Sequence, residues 1–230
     1  MAIKCGFYGG EAYDLIHYVS RVLLALGHSI VLIDQSQDRA LESSIALPVD
    51  YNIENDQLVE YRGVMFAGRY MKTYDKHFDY IFLYYGRSKA KVINLDWLVI
   101  INDGDARTNN KIEGIMKVSS ILLENSKATK KDDCYVPKEP ICLSLSPMAK
   151  NVSFEQFNRY PVSRTNMDTA VIDTDDLILK HCCQVDGMFK FNGISSDYNN
   201  IIEKLSESFL EKEVSAKDFK KAYKLAERGK

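Results

Sequence analysis

Residues 2–7, AIKCGF, form a short apolar run that reads as a buried strand. Residues 12–26, AYDLIHYVSRVLLAL, then switch to a helical period, with Leu15, Ile16, Val19, Val22, Leu23 and Leu26 on one side. Gly27 ends that pattern as a C-cap glycine would, and His28 is placed to cap the negative end of the helix. SIVLID, 29–34, is a continuous apolar run that closes on Asp34. A strand, an amphipathic helix and a second buried strand in such short order make a βαβ unit and predict a parallel sheet.

Three further runs, FDYIFLYYG (78–86), DWLVIIND (96–103) and EPICLSLSP (139–147), are rich in β-branched or aromatic residues and bounded by turn formers. Helical patterns cover 109–124, 174–182 and 197–212, and a charged tail at about 215–230 puts Phe219, Ala222, Tyr223 and Ala226 on one face. The segment 124–133, ENSKATKKDD, reads as a polar loop. No repeat or linker divides the chain. The expectation is a single α/β domain over 1–230: a doubly wound, mostly parallel sheet flanked by helices in a Rossmann-like three-layer sandwich.

Composition narrows the function classes. With 46% hydrophobic and 27% charged residues the chain is ordinary globular material and not a disordered one. A formal charge of -2 gives no global reason to expect nucleic acid as partner. No apolar run reaches the roughly 18 residues of a membrane helix, and the N-terminus enters a strand pattern directly, so membrane insertion is not expected and a cytoplasmic location is. Cys5, Cys134, Cys142, Cys182 and Cys183 contain no CxxC pair and read as reduced, buried thiols. His17, His28, His77 and His181 lack ligand spacing, so no metal site is expected, and no G-x-S-x-G elbow marks a serine nucleophile.

The turn FYGGEAYDL, 7–15, falls where the first strand hands over to the first helix and carries the paired glycines of a phosphate loop. It is followed by IVLIDQSQD (30–38), FDYIFLYYG (78–86), LDWLVIIND (95–103) and QVDGMFKFNGISSDYNNIIEKLSESF (184–209). In order and spacing this set resembles the ParA/MinD group of deviant-Walker P-loop ATPases, over about 210 residues. The resemblance implies a P-loop NTPase-like fold and a nucleotide crevice at the glycine turn.

The family's chemistry does not carry over with the pattern. Against the family loop K-G-G-x-G-K-T/S, the first lysine is Tyr8, Gly9 and Gly10 remain, the third glycine is Ala12, the second lysine is Tyr13 and the magnesium-binding hydroxyl is Asp14. Backbone N–H groups and a lysine charge hold phosphate in such a loop, whereas Glu11 and Asp14 place carboxylates at the positive pole of the helix. The aspartate expected to end the 78–86 strand is replaced by Tyr84 or Tyr85, and Asp34 alone survives, as a turn or helix cap or as a remnant of the nucleotide shell. Gly9, Gly10, Glu11, Ala12, Tyr13, Asp14 and Asp34 are therefore expected to be a vestigial nucleotide site with no cofactor; the alternative is an atypical loop that still takes ATP and magnesium.

Tyr8, Tyr13, Tyr84 and Tyr85 are expected near one crevice, as filling or as a protein-binding surface such as a homodimer interface. DGDARTNN, 103–110, reads as a loop that caps the next helix or contacts a ligand. Basic residues gather at Lys127, Lys130 and Lys131 and at Lys217, Lys220, Lys221, Lys224 and Arg228, as a solvated face or a contact for DNA or an acidic partner. The tail is too weakly apolar for a MinD-type membrane anchor. The resemblance implies a catalytically inactive localisation or scaffold factor acting through protein contacts, in partitioning or in pilus or secretion assembly as for TadZ/CpaE-like members. An active ATPase and a DNA-associated partition protein are the alternatives.

Overall fold

In a computed structural model of the chain, residues 1–45, 58–88, 95–128, 138–147, 160, 167–186 and 189–228 are described. Strand β1 (Ile3–Gly9), helix α1 (Tyr13–Ala25) and strand β2 (Ile30–Asp34) form the expected βαβ unit. A four-residue helix α2 (Ala40–Ser43), a hairpin of β3 (Val59–Tyr61) and β4 (Val64–Ala67), and a 3-10 turn at Lys72–Lys76 follow. Then come β5 (Tyr80–Gly86), β6 (Trp97–Asn102), α3 (Ala106–Ala128), β7 (Ile141–Pro147), β8 (Met167–Ile172), α4 (Thr174–Asp186), α5 (Ser196–Leu210) and α6 (Ala216–Glu227).

The strands make one eight-stranded sheet in the order β3-β4-β2-β5-β1-β6-β7-β8. Every pairing is parallel except the β3–β4 hairpin. The fold is thus α/β with a mostly parallel sheet and helices on both faces. On one face Phe7, Phe82 and Phe209 join β1 and β5 to α5, with ring centroids 5.2 Å apart for Phe7–Phe82 and 5.5 Å for Phe82–Phe209. On the other, Ile112 and Met116 of α3 pack with Ile33, Ile81 and Ile100.

Several sequence expectations need correction. β3, β4 and β8 were not foreseen: β3 and β4 are too short to show a period, and their turn is set by Arg62 and Gly63, both at positive φ. α3 runs on to Ala128, so the first half of the polar 124–133 stretch is helix; nothing in its residues breaks a helix. α4 extends four residues past the expected 182. Lys130, Lys131 and Cys134 lie outside the described residues. Cys5, Cys142 and Cys183 are buried free thiols, and burial pushes Cys142 and Cys183 up to about 12.

α1 ends as the glycine implied. Gly27 (φ +96) donates to the Leu24 carbonyl and the His28 N–H to Leu23, the paired bonds of a Schellman turn. His28 therefore caps with its backbone, while its ring packs edge-on to Tyr80 at 5.4 Å.

The apolar stripe read on α1 understates its burial, because every residue from Tyr13 to Leu23 is buried. α5 and α6 cover its outer side, forcing polar side chains inside. Arg21, 2% exposed, stacks over Phe189 at 4.3 Å and leaves Nε and Nη2 without a partner among the described residues. One turn earlier, His17 Nε2 lies 2.7 Å from Ser44 Oγ, and Ser44 donates its own hydroxyl proton to the Leu41 carbonyl. Nε2 must then be the protonated nitrogen of His17, with Nδ1 bare.

Burial, and then the nearby Arg21 charge, lower the His17 pKa from 6.5 to about 3. The unfolded chain takes up this proton first. The associated stability is fully present above pH 6.5 and is lost as pH falls from there toward 3. Urea midpoints measured across that window are expected to fall for the wild-type chain, with a visibly flatter profile for His17→Leu.

Candidate functional site

β1 lies between β5 and β6, and the chain leaves its two sides in opposite directions: through α1 to β2, and from β6 through α3 to β7. Open α/β sheets form a crevice at the C-terminal ends of strands where this reversal occurs. Here it is a cleft of about 300 Å³, lined by Glu11, Asp14, Arg87, Asp103, Asp105 and Lys180, with Leu145, Ile172, Leu177 and Tyr198 as its remaining walls.

The glycine turn is shaped by β6. Gly9 (φ +116) pairs with Ile101, and the Gly10 N–H donates to the Ile101 carbonyl at 2.8 Å. A Cβ on Gly9 would collide with that carbonyl, and one on Gly10 would sit 2.8 Å from Asp103 Oδ2. Close strand approach thus requires Gly9, and the Asp103 side chain crowds Gly10, without reference to any ligand.

Beyond them, Ala12 occupies the N-cap of α1 and offers no side-chain cap. Asp14, 5% exposed, lies in the first turn. Tyr198 at the start of α5 donates to Asp14 Oδ2 at 2.6 Å, and Lys180 Nζ of α4 is 3.7 Å from Oδ1. Lys180 also donates to the Glu11 carbonyl at 2.9 Å and stands 4.8 Å above the Tyr13 ring. Burial first, and the Asp14 charge second, raise the Tyr198 phenol well above its ordinary pKa. Tyr13 is raised for the same reasons.

Across the cleft, Arg87 Nη2 bonds Asp103 Oδ2 at 2.8 Å and lies 3.7 Å from Asp105. The bond to Asp103 raises the Arg87 pKa. Asp105 Oδ1 accepts the Arg107 N–H at 2.7 Å, capping α3 as the 103–110 loop suggested, and this bond chiefly lowers its pKa. Asp34, at the end of β2, spends both carboxylate oxygens locally. Oδ1 takes the Ser36 N–H and hydroxyl, and Oδ2 takes the Glu42 N–H at 2.9 Å. It caps the β2–α2 turn.

The four tyrosines do not share one crevice. Alternation along the strands sends Tyr84 to the α1 face, where Tyr13 of α1 itself lies, and Tyr8 and Tyr85 to the α3 face. All four are at most 7% exposed. The Tyr84 phenol is driven up by burial and then by the charges of Asp38, Asp34, Glu11 and Asp14. Of the residues expected at the site, Glu11 and Asp14 line the cleft, while Tyr8 hydrogen-bonds the Lys111 carbonyl at 3.4 Å on the far side. Lys180, Arg87 and Tyr198 carried no signal in the sequence: Tyr198 is 184 residues from the aspartate it holds.

Among the described residues no cluster of three His, Cys, Asp or Glu side chains is placed to hold a metal ion, and no helix is long and apolar enough to cross a membrane. No family model matches the chain, and no curated protein matches it. Among solved structures it is similar to pNOB8 ParA bound to nonspecific DNA, with 12% identity, a TM-score of 0.47 and all of both chains covered.

Replacing Gly9 separates backbone need from ligand need. Gly9→Ala meets both a positive φ and the Ile101 carbonyl, so it is expected to lower the unfolding free energy by about 2 kcal/mol or more. Gly27→Ala has a positive φ but open space around it, and its expected cost is about 1 kcal/mol. Urea denaturation of both variants, without nucleotide, checks the difference.

Proposed function

We propose that the chain is a non-hydrolysing, ParA/MinD-like protein whose nucleotide crevice is taken up by its own acids and the cations they engage, and that it acts as a localisation or scaffold factor through protein contacts. The observation that carries this reading is the buried Asp14 carboxylate in the first turn of α1, bonded by Tyr198 and neighboured by Lys180. A phosphate at that helix end would meet this charge directly. At about 4 Å and an effective dielectric of 20, each such repulsion is worth about 4 kcal/mol before screening.

The residues present therefore do not fit a triphosphate. Four carboxylates (Glu11, Asp14, Asp103, Asp105) face two cations (Arg87, Lys180), and both cations already serve internal acceptors. No lysine projects from the turn itself. The reading takes no cofactor, and the partner is another protein or a second copy of the chain.

Isothermal titration with ATP and magnesium tests it. The expected result is no saturable heat and no phosphate release; micromolar binding would return the chain to the active ATPases.

One observation favours a second reading, a DNA-associated partition protein. At 3.6 residues per turn, Lys217, Lys220, Lys221, Lys224 and Arg228 fall within an arc of about 100° at the α6 end. All five are exposed. The acids of this helix are engaged elsewhere: Asp218 with Ser215, and Glu227 with the Phe191 and Asn192 N–H groups. On this reading nonspecific duplex shifts in a gel at low salt, the shift falls steeply with salt, and Lys220→Glu/Lys224→Glu removes it. A chain that gives no shift at low salt has no such role.

A further inference from the structure

At the opposite strand ends lies a wider groove of about 770 Å³, formed where β1, β2 and β5 begin. Seven residues of β1 separate it from the crevice, about 20 Å at strand rise. Its floor is apolar: Ile3, Phe78 and Tyr80, with the His28 ring edge-on to Tyr80. Its rim carries Lys72 and Lys76 on the 3-10 turn, together with Asp75 and Asp79.

The charges on the rim are not equivalent. Asp75 is held by Lys4 Nζ at 3.0 Å and by the Tyr70 hydroxyl at 2.8 Å. Asp79 accepts the Ser29 N–H at 2.8 Å and the Ser29 hydroxyl at 2.9 Å, and these bonds lower its pKa. Lys72 and Lys76 are exposed and have no ion-pair partner among the described residues. Lys4 offsets the charge of Asp75, while Asp79 stays charged and exposed, so the two unpaired lysines leave the rim with a net positive charge beside its apolar floor.

The backbone that carries the lysines is held in place. The turn is anchored by buried Tyr74, by the Phe78 N–H on the Tyr74 carbonyl at 3.1 Å, and by the Ala2 N–H on the Asp75 carbonyl at 3.2 Å. Four residues of 3-10 helix separate the two stems by about 8 Å along the axis and about 120° around it.

We propose that this groove docks an extended, acidic segment of a partner protein that also carries an aromatic side chain. Its carboxylates meet Lys72 and Lys76, and the aromatic ring covers Phe78 and Tyr80. A free phosphate would leave that floor wet. The inference goes beyond the scaffold reading and is independent of what the crevice binds.

The test is fluorescence anisotropy on the full chain with a labelled Glu-x-Glu-x-Trp peptide, beside its Gln-x-Gln-x-Trp and Glu-x-Glu-x-Ala counterparts. Saturable binding is expected for the first, weakened about tenfold in each counterpart. Lys72→Glu/Lys76→Glu is expected to abolish it, and Lys72→Arg/Lys76→Arg to keep it. Both lysines are exposed, so circular dichroism should show every variant folded. Absence of saturable binding, equal binding of the glutamine peptide, or binding retained in the double glutamate variant each overturns the proposal. So does a double variant that loses only phosphatidylglycerol-vesicle binding, which would assign the groove to lipid. ATP and magnesium in the assay should change nothing, so a failure here is separable from a failure of the proposed reading of the crevice.

Discussion

A carboxylate buried at the start of a helix sets the terms for the C-terminal end of this sheet. Asp14 is favoured there by the helix dipole, but at 5% exposure it also needs donors. They come from far along the chain: the Tyr198 hydroxyl of α5 donates to it, and the Lys180 ammonium of α4 stands 3.7 Å away as a counter-charge. Supplying them draws the N-termini of α1 and α5 together and brings α4 across the glycine turn. Two of the residues that line the crevice, Tyr198 and Lys180, are therefore also the ones that engage Asp14. A ligand that displaced Lys180 would leave a buried carboxylate without its neighbouring cation.

The two ends of the sheet differ in what charge is left over. At the crevice, Arg87 meets Asp103 and Asp105, and Lys180 meets Asp14 and the Glu11 backbone carbonyl. At the groove, Asp75 meets Lys4 and the Tyr70 hydroxyl, Asp79 is bonded by Ser29, and two lysines are left over. The difference does not show in the net charge of -2, which averages over both ends. A surface that recognises a partner needs groups whose bonding is not already complete within the chain. By that criterion the wider groove is the more open of the two.

What could be read from the sequence was what lies close along it. The strand–helix–strand start, the Gly27 stop and the long apolar runs are local patterns, and the structure has them. β3 and β4 offered only three and four residues, too few for a period to appear. The crevice was half legible. Glu11 and Asp14 stand beside the glycines and were visible as misplaced acids, whereas Lys180 and Tyr198 reach the turn only through the packing of α4 and α5. The tyrosines misled because nearness in sequence to a turn says nothing of which sheet face a side chain takes. Strand alternation places Tyr84 and Tyr85 on opposite faces although they are adjacent.

The paired glycines show why a motif has to be weighed by what its residues touch. In a phosphate loop, glycine lets backbone approach a ligand; at Gly9 and Gly10 it lets backbone approach the end of β6. Both uses leave the same two letters. The cations make the same point in reverse. The family loop brings two lysines on its own backbone, and this crevice also holds two cations, one from α4 and one from the end of β5. The count is equal, but loop lysines are aimed at a ligand, while Arg87 and Lys180 are aimed at carboxylates and a carbonyl of the chain itself. On the proposed reading, restoring anion binding would take more than adding a positive charge: the acids that hold the existing cations would have to be removed, and with Asp14 goes the group that ties α1 to α5.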